Sequence, residues 1–197
     1  MSLFSFSEIE KKNENDSNGK ISKDAVLINK YENLHTLKIK NIKELVGEQI
    51  AENDIYFLWT QNSFNAFTFI LWAIKHFGTI EELLLTTYAI NEKVVEMIVR
   101  WLDKGLIKSV TIFVSDTLKV RNAKINDQLQ ILAQTRNITI FYAWNHSKIT
   151  LIKTADKFLC IEGSGNLSEN SRFENYILTN NKKLYDFRKN CILDNAD

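Results

Sequence analysis

Four short apolar runs, Ile55–Trp59, Leu83–Ala89, Val110–Val114 and Ile138–Trp144, recur along the chain with helix-like stretches between them. That alternation constrains the fold more than any other feature. Runs of this length and content read as strands, and Ile55-Tyr56-Phe57-Leu58-Trp59 reads as one buried on both faces. Between the first two, Asn62-Ser63 predicts a cap for a helix over Phe64–His76 that ends at Gly78. After the second, Asn91 caps Glu92–Lys104, which gathers Val94, Val95, Ile98, Val99 and Leu102 on one face before Gly105. Asp127–Gln134 belongs to a third helix, and Leu37-Lys38-Ile39-Lys40 looks like a short strand at the entry. Strand and helix in alternation imply right-handed crossovers, so the expected class is α/β, a mostly parallel mixed sheet flanked by helices on both faces.

The last third changes character. Lys148–Lys153 and Lys157–Glu162 enclose the polar turn Thr154-Ala155-Asp156 and read as a hairpin, followed by a strand over Tyr176–Thr179 and a helix over Lys182–Leu193. Proline is absent from the 197 residues and marks no linker, and 45% of the chain is hydrophobic, which suffices for one core over residues 25–197. Residues 1–24 contain EIEKKNENDSNGKISKD, too polar to offset the entropy of ordering, and are expected to form a flexible arm. No run has the length of a membrane span and no secretory signal is apparent, so the expected location is the cytoplasm. Cys160 and Cys191 lack the second pair that a zinc site needs. A net charge of +1 gives no overall attraction to nucleic acid or anionic membrane, which leaves any anion site to local geometry.

Such a site is legible. His146-Ser147-Lys148 ends the strand Ile138–Trp144, and Gly163-Ser164-Gly165-Asn166 follows the second arm of the hairpin. A hairpin returns the chain to its start, so the two segments should meet, with His146 and Lys148 on the same side of the backbone. Imidazole can attack phosphorus or carry a proton, lysine offers charge to non-bridging oxygens, and Ser164, Asn166 and the glycine-rich backbone offer donors. Trp144 stands two residues before His146 and could wall a substrate cleft, although the four tryptophans, Trp59, Trp72, Trp101 and Trp144, are as a group expected in the core. Lys119, Arg121 and Lys124, and Arg172 in Asn170-Ser171-Arg172, are candidate phosphate contacts. His35 and His76 read as structural, and no histidine pair has the spacing of a metal site, so neither metal nor other cofactor is expected.

The segment HSKITLIKTADKFLCIEGSGN, residues 146–166, resembles the motif of the phospholipase D superfamily, His-x-Lys, four residues, Asp, six residues, Gly-Ser-x-Asn. Both outer halves match, and Asp156 keeps the six residues before Gly163 but follows Lys148 after seven instead of four. Either the hairpin is three residues longer, with Asp156 in the supporting role together with Gly163 and Gly165, or Lys153 holds that position and Asp156 is a turn residue. In single-motif nucleases of the family an acidic residue follows the Ser/Asn-rich loop, and Glu174 in SENSRFENYIL matches it. By the resemblance Glu174 orients a catalytic histidine, and His146 forms a phosphohistidine intermediate. The family normally uses two motif copies, and its single-motif members dimerise, so the resemblance implies a homodimer acting without metal on DNA or RNA. A catalytically weak nucleic-acid-binding or assembly protein of the same fold, and a phospholipase or phosphatidyl transferase, are the alternatives.

Overall fold

The computed structural model describes residues 31–61, 65–168 and 173–195. The expected arm at 1–24, the expected cap Asn62-Ser63, Phe64 and Asn170-Ser171-Arg172 lie outside them. The elements are α1 (Tyr31–Val46), β1 (Ile55–Gln61), α2 (Ala66–Phe77), β2 (Glu82–Thr87), α3 (Glu92–Asp103), β3 (Val110–Ser115), the single turn α4 (Leu118–Arg121), α5 (Ala123–Thr135), β4 (Ile138–Ala143), β5 (Ile149–Lys153), β6 (Phe158–Gly163), β7 (Phe173–Asn180) and α6 (Lys182–Leu193).

Asparagine starts most of the helices. The side chains of Asn65, Asn91, Asn122 and Asn181 accept from the backbone N–H three residues on, at the heads of α2, α3, α5 and α6. Asn65 adds the reciprocal bond from its own N–H to the Thr68 hydroxyl, 3.1 Å, so α2 begins two residues later than expected. Gly78, at φ 78°, ends that helix as the sequence predicts. The segment Leu37–Lys40 is not a strand but part of α1: Ile39, Ile42 and Val46 are buried at helical spacing, a period that a four-residue window cannot separate from simple alternation. Among the described residues no helix is long and apolar enough to cross a membrane.

The seven described strands form one sheet in the order β1-β7-β6-β5-β2-β3-β4. Here the expectation of a mostly parallel sheet is corrected, since only β2–β3 and β3–β4 are parallel and the other four pairings are antiparallel. The physical reason lies in the last third of the chain. β5, β6 and β7 pair antiparallel in sequence and insert between β1 and β2, displacing β1 to the edge beside β7. The crossover logic still holds for direction, because β1 to β4 all run the same way.

The two faces are covered unequally. Leu83, Leu85, Val110, Ile112, Val114, Ile152, Leu159, Ile161 and Leu178 face a large core shared with α1, α2, α3 and α5, in which Trp72 and Trp101 are buried. Leu84, Phe113, Leu151 and Cys160 face the other way, onto Tyr185 and Ile192 of α6. Nothing among the described helices covers that second face at β1, so β1 is not buried on both sides: Leu58 and Thr60 are buried while Ile55, Phe57 and Trp59 are exposed. Trp59 is therefore not a core residue.

α6 is fastened by Glu82 at the start of β2, whose carboxylate accepts from the Tyr185 hydroxyl at 2.5 Å and from Lys189 Nζ at 2.6 Å. Burial works against the charge of Glu82, but the bonds from Lys189 and Tyr185 outweigh it and hold the carboxyl below its ordinary range. A depressed carboxyl stabilises the fold above the ordinary carboxylate range and ceases to do so as pH falls through the lowered value. Glu82→Gln should thus lower unfolding free energy by about 1–2 kcal/mol at neutral pH, with the difference from wild type shrinking as pH falls below the ordinary carboxylate range, as read from denaturant midpoints.

Candidate active site

The β5–β6 ladder pairs Ile149 with Glu162 and Lys153 with Phe158, and at its open end Gly163 N–H donates to the Lys148 carbonyl at 3.2 Å. His146-Ser147-Lys148 and Gly163-Ser164-Gly165-Asn166 accordingly lie side by side, at the carboxyl ends of β2, β3, β4 and β6, where open α/β sheets bind ligands. Asp156 is at the opposite end. It sits in the turn, accepting from the Thr154 hydroxyl at 3.3 Å and pairing with Lys157 at 3.3 Å, roughly 15 Å of strand away from His146. Lys153 pairs at that same far end with Glu81, 3.3 Å.

The His146 segment is stapled across the strand ends by residues that sequence reasoning did not single out. Asn145 donates to the carbonyls of Phe113 at 3.1 Å and Thr87 at 3.4 Å, tying it to β3 and β2. Its amide oxygen accepts from Ser147 N–H at 2.9 Å, and Ser147 Oγ donates to Thr86 Oγ1 at 2.8 Å. Thr86 Oγ1 also takes the Ile149 N–H at 2.9 Å, and Thr87 Oγ1 donates to the Ala89 carbonyl at 2.7 Å, accepts from Leu167 N–H at 3.3 Å and lies 3.5 Å from Asn166 Oδ1. Two adjacent threonines at the end of β2 therefore hold one motif half each. The only sequence signal for them is their place just past the apolar core of a strand, at its carboxyl end.

His146 is exposed, with its ring 5.0 Å from that of Tyr88. Lys148 Nζ donates to the His146 carbonyl at 2.7 Å and lies 3.2 Å from His146 Nδ1. A charged Lys148 makes Nδ1 the acceptor and puts the ring proton on Nε2. Burial lowers the pKa of Lys148, against the opposing charge of Glu174. Glu174 is buried at 6% exposure and accepts from the Ser164 hydroxyl, while Asn175 N–H donates to Ser164 Oγ at 3.2 Å. Ser164, Glu174 and Lys148 thus share one corner, whereas the ring of His146 is partnered by Lys148 and Tyr88.

Both motif glycines are sterically required. A Cβ on Gly163 would lie 2.3 Å from the Asn175 carbonyl oxygen, and one on Gly165 would lie 2.0 Å from the Tyr176 hydroxyl. Tyr176, fully buried against Phe69, is the floor on which the second motif half rests.

Beside His146 opens a cavity of about 400 Å³ whose walls include Tyr88, Ser115, Thr117, Arg121, Trp144 and Asn145. Trp144 is 89% exposed, so it belongs to this wall and not to the core. The Arg121 guanidinium lies 5.2 Å from the Tyr88 ring and Lys119 lies 4.4 Å from that of Tyr142. Lys124 is paired with Glu92 at 2.9 Å. Arg172 lies outside the described residues.

No family model matches the chain, and no curated protein matches it in sequence. In structure it resembles polyphosphate kinase from Porphyromonas gingivalis, with a TM-score of 0.55 at 15% identity over 73% of this chain and 26% of that one. Phosphatidylserine synthase of Haemophilus influenzae Rd KW20 matches with a TM-score of 0.47 at 12% identity, over 68% of this chain and 36% of the other. TrmBL2, an archaeal chromatin protein with a novel mode of DNA binding, gives 0.48 at 12% identity, over 83% and 57%. The chain therefore spans only about a quarter to just over half of the length of these proteins. The polyphosphate kinase match establishes a phospholipase D-like fold, as the motif implies.

Gly165→Ala should cost about 1–3 kcal/mol of stability, because the added methyl must displace the Tyr176 ring within a packed core. Tyr176→Phe in the same protein removes the clashing hydroxyl and should recover part of the loss, as read from thermal or denaturant midpoints of the single and double variants.

Proposed function

We propose that this protein is a metal-independent phosphodiesterase acting on nucleic acid, in which His146 is the nucleophile and two copies of the chain share one active cleft. The observation that carries this reading is the convergence of His146, Lys148, Ser164 and Asn166 at the carboxyl end of the sheet of a phospholipase D-like fold. In the proposed reaction Lys148 turns from His146 to the non-bridging oxygens of the phosphodiester, joined by Asn166 and the backbone N–H groups of the glycine-rich segment. Its release frees Nδ1 to take the ring proton from Nε2, which leaves the attacking lone pair on Nε2. A nitrogen–phosphorus bond forms as the bond to the leaving oxygen breaks, and that oxygen takes its proton from the second copy's imidazole. Water then attacks phosphorus, gives its proton to that imidazole, and the nitrogen–phosphorus bond breaks. Glu174 acts as a positioning residue, fixing Ser164 and balancing the charge of Lys148.

A nucleic acid substrate is favoured over a lipid by the cavity beside His146. An exposed Trp144, Tyr88 and the cation Arg121 suit a base and its flanking phosphate. The homodimer follows from chemistry, since one chain supplies one of the two imidazoles that opposite protonation roles demand.

Purified protein incubated with single- and double-stranded DNA and RNA in chelator tests this. Cleavage is expected to persist in chelator, and its complete loss with restoration by magnesium would overturn the metal-free reading. His146→Ala should abolish turnover. Lys148→Ala should slow the chemical step by at least roughly tenfold, the worth of a charge-assisted contact to phosphate. Lys153→Ala, at the far end of the hairpin, should leave the rate within about twofold. Binding without cleavage by the wild type would favour the nucleic-acid-binding alternative, and release of head group from phospholipid vesicles would favour the lipid one.

Mixed dimers carrying one wild-type and one His146→Ala chain should be nearly inactive, because the shared cleft needs both rings. Half of wild-type activity in these mixed dimers would show that each chain works alone.

A further inference from the structure

The cavity beside His146 is built by the segments that follow β2, β3 and β4, and its walls combine aromatic rings, a cation and two hydroxyls. Trp144 stands just past β4 with 89% of its surface exposed, so its ring is not committed to packing. Tyr88 follows β2, and its ring lies 5.0 Å from that of His146. The single turn α4 sets Arg121 5.2 Å from the Tyr88 ring and Lys119 4.4 Å from the Tyr142 ring. Neither cation has an acidic partner among the described residues, in contrast to Lys124. The hydroxyls of Ser115 and Thr117 bond to each other at 2.9 Å. That bond uses one of two hydroxyl protons, so the pair keeps one donor and several lone pairs for the edge of a planar ligand.

In a duplex the faces of each base are covered by its neighbours and its pairing edge is occupied, so neither stacking on an indole nor hydroxyl contact to that edge is open to it. A cavity of about 400 Å³ lies at the small end of ligand-pocket sizes, suited to one nucleoside unit and not to a helix.

We propose that this cavity seats the base of the nucleotide bearing the scissile phosphate, and that the substrate is therefore single-stranded nucleic acid. Trp144 and Tyr88 are the stacking residues, and Arg121 and Lys119 lead the strand away along α4. The proposal rests on the nucleic-acid reading given above and adds strandedness to it. Because the Tyr88 ring adjoins His146, the base it meets belongs to the reacting nucleotide and not to a distant one. A duplex would have to unpair the nucleotide that is cut, which disfavours it by the work of flipping. An ammonium head group of a lipid would meet Arg121 as a like charge, which sets the cavity against that occupant.

The test reads binding apart from cleavage. Full-length protein carrying His146→Ala is titrated by fluorescence anisotropy with a labelled short DNA single strand, an abasic strand of the same length, and the blunt duplex of the same sequence. The single strand should bind at least about tenfold tighter than the duplex. Adding Trp144→Ala should weaken single-strand binding at least about fivefold with unchanged circular dichroism, the worth of one stacked base. Trp144→Phe should restore most of that loss. On the abasic strand and the duplex, Trp144→Ala should change affinity by less than about twofold, since neither offers a base to the ring. Equal affinity for single strand and duplex, or the same loss on the abasic strand as on the intact one, overturns the proposal. Base-dependent binding through Trp144 in a protein whose wild type cleaves no phosphodiester keeps the cavity assignment and removes the catalytic reading. Cleavage of duplex and single strand at equal rates, with Trp144→Ala neutral in binding, does the reverse.

Discussion

The pairing of β5 with β6 is the interaction on which the rest of the structure depends. It carries the chain from Lys148 out to Thr154 and back to Gly163, and so converts a separation of 15 residues into one hydrogen bond between the two motif halves. Its register is doubly fixed. Ile152, Leu159 and Ile161 must face the larger core while Leu151 and Cys160 face α6, so a slip of one residue would send every side chain to the wrong side. At the turn, Thr154 N–H donates to the Lys157 carbonyl and Lys157 N–H to the Thr154 hydroxyl, which closes the loop at one length. That turn lies at the end of the hairpin remote from His146.

In a nearly neutral chain the motif end of the sheet gathers a partly buried Lys148, a buried Glu174 under Ser164 and the cations Arg121 and Lys119 beside aromatic rings. Burial lowers the pKa of Lys148, and the charge of Glu174 works against that lowering. Tyr176 beneath excludes a side chain at residue 165, and the Asn175 carbonyl together with the Tyr176 ring excludes one at residue 163.

Much of this was legible in the sequence because the signals were local. Helix caps at Asn91 and the hairpin around Thr154-Ala155-Asp156 depend on neighbouring residues, and both are where the sequence puts them. The juxtaposition of His146 with Gly163-Ser164-Gly165-Asn166 was also accessible, since it needs only the hairpin. What escaped depends on partners far away in the chain. The insertion of β5–β7 between β1 and β2 is a matter of sheet order, which no periodicity encodes, and it alone makes the sheet mostly antiparallel and leaves Phe57 and Trp59 exposed. Thr86, Thr87 and Asn145 escaped for the same reason: their hydrogen bonds span 32 to 80 residues, and nothing about a threonine at a strand end announces them.

The central claim, that His146 is the nucleophile, is tested most directly by trapping. Protein quenched within milliseconds of mixing with substrate, at neutral to alkaline pH to preserve a nitrogen–phosphorus bond, can be digested and read by mass spectrometry. The account predicts a substrate-derived phosphoryl group on the peptide containing His146, absent from His146→Ala. Cleavage that proceeds with no adduct at His146, or with the adduct on another residue, would contradict it.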